Sequence, residues 1–275
     1  MTEAPAATPT VGIVDDPAAC LPPASPQVAA FLATMYAARR EGRPSPVPDP
    51  ALVAEFTAWS AERARLDWPG RTRYAAANAA LLQADAEAGA GTAADRVVFI
   101  GDSITEAWAL YDPELFSGAW INRGISGQTT PQMLARFRPD ATALKPRVIH
   151  LMAATNDIAG NTGPTTLAWI QDNLQTMAEQ ARLHGARLVL GSVPPAATFQ
   201  WRPEIESLAP IAALNAWLRA YADRTGATYA DYHTALSDPA GALRPDLTED
   251  GVHPNAAGYA LMKPLALAAV REALG

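Results

Sequence analysis

Two hydrophobic rhythms divide the chain. Before residue 92, apolar positions recur every three or four residues, the spacing of one helix face. Val28, Phe31, Leu32, Met35 and Tyr36 predict a helix over 26–40. Leu52, Val53, Phe56 and Trp59 predict another over 51–66, with Asp49 before Pro50 as its start signal. A third helix is expected over 74–88, ending in the glycine-rich AGAGT. Residues 1–25 are Pro/Ala-rich without a period and read as an extended or mobile arm.

After Asp95 the rhythm changes. RVVFIG (96–101), RVIHLMA (147–153), RLVLGSV (187–193) and ATYADY (227–232) are short apolar runs rich in β-branched residues, and AWINRG (119–124) reads as a further strand. Helical patterns lie between and after them, notably 167–184, 205–225 and 255–273. Strands alternating with helices predict an α/β layer fold with a parallel sheet covered on both faces. Two domains are expected: an arm and helical extension over 1–92, too thin to core alone, and a catalytic domain over 93–275. The apolar faces of the extension must dock on that domain or on another subunit, which leaves a homo-oligomer open.

Composition narrows the function classes. With 49% hydrophobic and 18% charged residues, a sizeable core is affordable. A net charge of −7, without a basic arm, argues against nucleic acid as a partner. No apolar run reaches the roughly 18 residues of a membrane helix. A soluble protein is expected, cytoplasmic or, if a leader was removed before residue 1, exported. The single cysteine, Cys20, lies far from any partner histidine and reads as incidental.

In open parallel sheets, ligands bind beyond the carboxyl ends of the strands, so candidate chemistry is sought there. The first strand ends in Gly101-Asp102-Ser103-Ile104-Thr105. Ser103 is either an ordinary helix cap or a nucleophile at a helix N-terminus, where backbone N–H groups face developing negative charge. Asp250-Gly251-Val252-His253-Pro254 sets an acid and a base three residues apart on a loop before the last helix. The four histidines make the choice of base tractable. His150 sits in an apolar strand, His184 at a helix end, and His233 after the final strand is a reserve. Gly127 offers an unhindered backbone N–H, and Asn156 a carboxamide, at two further strand ends; taken singly, each also reads as a turn residue. Four such groups at separate strand ends are harder to dismiss.

In this order and spacing, GDSIT (101–105), NRGISGQTT (122–130), AATND (153–157) and DGVHP (250–254) resemble the four sequence blocks of the SGNH, or GDSL-type, hydrolases. The resemblance spans about residues 95–275. It implies a flavodoxin-like three-layer sandwich around a five-stranded parallel sheet. It also implies Ser103 as nucleophile, Asp250 and His253 as its partners, and an oxyanion hole of the Ser103 and Gly127 N–H groups with the Asn156 side chain. Neither metal nor organic cofactor is implied. Ile104 and Ala154 depart from the pattern, the latter where glycine usually stands. Similarity to bacterial members points to short acyl esters, chiefly acetyl, including those of sugars. Acyl transfer to a sugar, or a binding module without turnover, remain the alternatives. The loop 194–206 carries Phe199 and Trp201, read as substrate-binding walls or as aromatics packed on the body.

Overall fold

The computed structural model describes residues 13–43, 46–89 and 95–275. Three helices come first: α1 (Pro26–Arg40), α2 (Pro50–Leu66) and α3 (Ala75–Ala88). Both α1 and α2 start as the sequence predicts. The Ser25 hydroxyl accepts from the Val28 N–H at 3.1 Å, and the Asp49 carboxylate from the Leu52 N–H at 2.8 Å. Each helix has proline in its first turn, where no N–H is needed.

The body follows as β1 (Val97–Gly101), α4 (Ser103–Tyr111), β2 (Trp120–Gly124), α5 (Thr130–Asp140), β3 (Val148–Met152), α6 (Thr155–Ile158), α7 (Leu167–Leu183), β4 (Arg187–Gly191), α8 (Leu208–Thr225), β5 (Thr228–Ala230), α9 (Tyr232–Leu236) and α10 (Ala256–Leu274). The five strands form one parallel sheet in the order β2-β1-β3-β4-β5. Alternation along β1 separates two cores. Val98 and Ile100 join Met133 and Phe137 of α5, Leu174 and Met177 of α7, and Leu214 of α8. Val97 and Phe99 join Trp108 of α4 with Tyr259 and Met262 of α10. This is the three-layer sandwich expected.

Some elements differ from the sequence reading. Helix α5 was masked by Pro131 in its first turn, by Pro139 one residue before its end, and by Arg136 on its buried face. Helix α8 begins at Leu208 rather than at 205, because Ile205 closes a turn on the Arg202 carbonyl. The described part of the N-terminal arm is not free. Pro17–Cys20 forms a 3-10 turn, and the Pro22 carbonyl accepts from the Trp59 indole at 3.0 Å and from Arg63 at 3.2 Å. Residues 1–12, the 90–92 end of AGAGT and the expected boundary at 92/93 lie outside the described residues.

The extension docks on the body through polar contacts. Asn78 of α3 donates to Asp140 at 2.7 Å and accepts from Arg123 at 2.9 Å. Tyr74 donates to the Gly124 carbonyl at 2.5 Å, and Arg73 pairs with Glu106 at 3.0 Å. Among the described residues, no helix is long and apolar enough to cross a membrane.

Candidate active site

Chain direction in a parallel sheet brings the loops after β1, β2, β3 and β4 to one edge, and the loop before α10 arrives beside them. Ser103 is the first residue of α4. Its N-cap, Asp102, accepts from the Ile104 N–H at 2.9 Å. The chain is packed too closely here for side chains on two glycines. A Cβ on Gly101 would lie 2.6 Å from the Met152 carbonyl oxygen, and one on Gly124 2.2 Å from the Glu106 nitrogen. Burial pushes the Asp102 carboxyl up to about 6, against the pull of the Ile104 N–H. Asp102, buried, holds the start of α4.

Ser103 Oγ lies 2.9 Å from His253 Nε2, and His253 Nδ1 lies 2.6 Å from Asp250 Oδ2. The second oxygen of Asp250 accepts from the Val252 N–H at 2.9 Å and the His253 N–H at 2.8 Å. Burial raises the Asp250 carboxyl, but the His253 ring and these N–H groups outweigh it and hold the group well below the usual carboxylate range. Asp250 thus stays ionised and fixes the imidazole with Nε2 facing the serine. Thr248 folds the loop on itself, donating to the His253 carbonyl at 2.8 Å and accepting from the Gly251 N–H at 3.0 Å.

Gly127 follows β2 with φ +77°, a conformation that glycine adopts without strain. Asn156 is buried in α6. One hydrogen of its carboxamide nitrogen goes to the Gln128 carbonyl at 3.1 Å, which leaves the second hydrogen available to another acceptor. Its oxygen accepts from Asn161 at 2.7 Å, so the amide cannot flip without losing both bonds. The turn into α6 passes through Ala154 at φ +93°, in the left-handed region where the family pattern has glycine.

The other histidines stay out of this chain of bonds. His150 is fully buried, stacked on Phe99 with ring centroids 4.3 Å apart and bonded to the Tyr232 hydroxyl at 2.7 Å. Burial drives its pKa down to about 3. His184 is the C-cap of α7, and the His233 ring faces Ser237. The two loop aromatics separate. Trp201 is 43% exposed, 6.4 Å from the His253 ring between centroids, and donates its indole N–H to Asn161 at 3.0 Å. Phe199 is fully buried beneath it, with ring centroids 5.4 Å apart. Its position corrects the expectation of a wall: it backs Trp201 instead of facing the cleft.

Sequence reasoning missed the groups that hold these loops. Asn161 orients Asn156, and nothing in its spacing announces it. Glu106, one turn into α4, accepts from Ser126 through both N–H (2.9 Å) and hydroxyl (2.5 Å). Arg136, with no exposed surface, binds the Gly101 carbonyl at 3.0 Å, the Arg123 carbonyl at 2.8 Å and the Gln128 side chain at 2.5 Å. It ties the start of the serine loop to the glycine loop. The one available signal was an arginine on the apolar face of a helix.

Comparison with known proteins bears on the family and the fold. The GDSL-like lipase/acylhydrolase family model matches residues 99–261. The esterase TesA of Pseudomonas aeruginosa is 29% identical over 181 residues, covering 59% of this chain and 81% of TesA. A GDSL-like lipase from Bacteroides thetaiotaomicron is 40% identical, with a TM-score of 0.68 over 74% of this chain and 98% of that one. An acetylxylan esterase from Geobacillus stearothermophilus shares the fold, with a TM-score of 0.53 at 21% identity over 64% of this chain and 94% of that one.

Proposed function

Since the chain belongs to the GDSL-like lipase/acylhydrolase family and is an ester hydrolase, we propose that it is a serine esterase for short acyl esters, chiefly acetyl esters of carbohydrates. The single observation that carries the mechanism is the chain of two hydrogen bonds from Ser103 through His253 to Asp250. His253 Nε2 takes the Ser103 proton as Oγ attacks the ester carbonyl, and Asp250 stabilises the imidazolium that forms. The carbonyl oxygen becomes an oxyanion held by the Ser103 and Gly127 N–H groups and the free hydrogen of Asn156. As the C–O bond breaks, imidazolium returns the proton to the departing alcohol. Water then repeats the sequence on the acyl-enzyme: His253 takes its proton, the acid leaves, and Ser103 recovers its hydrogen.

Several features favour small, hydroxyl-rich esters. Trp201 presents a half-exposed indole beside His253, where the alcohol departs. The fold is shared with an acetylxylan esterase. A panel of p-nitrophenyl esters and acetylated sugars tests the proposal, with acyl length varied first. Turnover is expected to fall with chain length, and Ser103→Ala to lose at least about 10⁴-fold. Retention of wild-type rates by Ser103→Ala sinks the mechanism. Asn156→Ala is expected to lose about 10²- to 10³-fold, mainly in kcat.

A further inference from the structure

Two large cavities flank the loop between α2 and α3, and only one reaches the proposed oxyanion hole. The first, about 770 Å³, is lined largely by apolar groups such as Leu21, Leu66, Ala79 and Leu82 and stays behind that loop. The second, about 610 Å³, has Ser126, Gly127 and Asn161 on one wall. Its opposite wall comes from the extension, with Ser60, Arg63 and Ala64 of α2 and with Trp68 and Arg73 after it. The site is thus a cleft between two parts of the chain, and its volume lies in the range of small-molecule sites.

The wall is pinned to the glycine loop. The Trp68 carbonyl accepts from Gln132 at 2.8 Å and the Pro69 carbonyl from Gln128 at 2.7 Å. Arg73 holds Glu106, which holds Ser126, the residue before Gly127. The Trp68 backbone is therefore held beside the Gly127 loop, and its side chain is 45% exposed. Trp59, one helix turn from Arg63, serves differently: its N–H is spent on Pro22, and Arg63 lies over its ring. Alongside Trp68 the cavity is lined by the hydroxyl-bearing Ser60, Ser126 and Thr162, by Arg63 and Arg73, and by the aliphatic Ile125. A lining that mixes an aromatic face, aliphatic groups and hydroxyls suits a sugar ring, which offers an apolar C–H face and a rim of hydroxyls.

We propose that residues 60–73 of the extension, with Trp68 as platform, form a carbohydrate-binding subsite that takes the sugar portion of the ester. The inference rests on the serine-esterase reading above. It adds a site built by a part of the chain that the matched family segment, 99–261, does not include.

The test is the ratio of kcat/KM for xylose tetraacetate to that for p-nitrophenyl acetate, measured on the intact chain. Trp68→Ala is expected to lower this ratio about five- to tenfold, mainly through KM, and Trp68→Phe to restore most of it. Ala64→Trp, which fills the cavity from exposed α2 and leaves Trp68 in place, is expected to lower the ratio as well. Ratios within twofold of wild type in both Trp68→Ala and Ala64→Trp overturn the subsite. Equal losses on both esters also overturn it, because they make the segment a mere buttress. A wild-type protein that cleaves the aryl ester but not the sugar ester overturns the subsite and leaves the esterase intact. The esterase reading fails separately, if Ser103→Ala keeps the aryl activity.

Discussion

The body and the extension are both helix-rich, yet they are held by different physics. Every side chain of β1 and β3 is buried, and two continuous cores sandwich the sheet. In the extension, α2 buries none of its residues, and α1 buries only Val28 and Ala38. Val53, Phe56 and Leu82 remain at least a third exposed. Burial at about 25 cal/mol per Å² of apolar surface therefore stabilises the body far more than the extension. Beside a few apolar contacts, such as Leu81 against the core, the extension is fastened by directional bonds, several of which end on the loop that carries Gly127. Damage to the body should cost stability, while damage to the extension should first loosen its docking and the cleft it walls.

The sharpest way to break this contrast is at the shared junction, where Arg136, Asp140, Asn78 and Arg123 form one buried network. Arg136→Met leaves Asp140 short of its cation and removes the donor to the carbonyls of Gly101 and Arg123 at the ends of β1 and β2. Breaking a buried pair by deleting one partner costs about 3–5 kcal/mol. Urea unfolding of the variant should show that loss; a change under about 1 kcal/mol would mean that the network is not supporting the body.

The same network approached from the extension should yield less. Asn78→Leu removes one partner each from Arg123 and Asp140, both of which keep others. An unsatisfied buried group costs about 1–3 kcal/mol, and the retained partners put the expected loss near the middle of that range. Limited proteolysis should then cut within the extension while the body survives. Simultaneous loss of both fragments would show the two regions to be one cooperative unit.

A third probe uses protons. His150 is buried in the body with a pKa near 3, whereas an unfolded chain takes up that proton near 6.5. The unfolded state thus binds more protons between these values, and stability rises with pH there. The contribution is complete above pH 6.5 and is lost as pH falls. From pH 6.5 to 5 the expected loss is on the order of 2 kcal/mol. Asp102, raised to about 6 by burial, gains stability over the same fall in pH and offsets much of that loss. The measurement is therefore the difference between wild-type and His150→Phe melts across this window, which should change by that amount.

Legibility in the sequence follows the same division. The strands were readable because they are short apolar runs between turn signals, and the central β1 and β3 are buried along their whole length. Ser103, Asp250 and His253 could be singled out because each stands beyond a strand or before the last helix and carries chemistry that a core does not need. Gly127 and Asn156 stood out only through the family resemblance. Helix α5 was not readable, since two prolines and a buried arginine interrupt its period. Asn161 and Glu106 were hidden for another reason: their roles exist only through partners set by tertiary structure. Arg73 and Trp68 of the extension were hidden likewise, because helical spacing says which face is apolar and nothing about what that face meets. Phe199 and Trp201, two residues apart, were indistinguishable until burial separated them.

The smallest effect is expected at Ala154, and its smallness is informative. At φ +93° an alanine carries strain of about 1–2 kcal/mol that glycine does not. Ala154→Gly removes that strain. It also gives up a fully buried methyl group in the core, worth about 0.8 kcal/mol, and adds backbone freedom to the unfolded chain worth about 0.5–1 kcal/mol. These terms nearly cancel, so the variant should unfold within about 1 kcal/mol of wild type. Stability is then no reason to keep alanine, and any change must be sought in the turn that delivers Asn156. With the Asn161 and Gln128 bonds intact, kcat on p-nitrophenyl acetate should move by less than about threefold. A tenfold change would show that the turn, not the amide's partners, sets where Asn156 points.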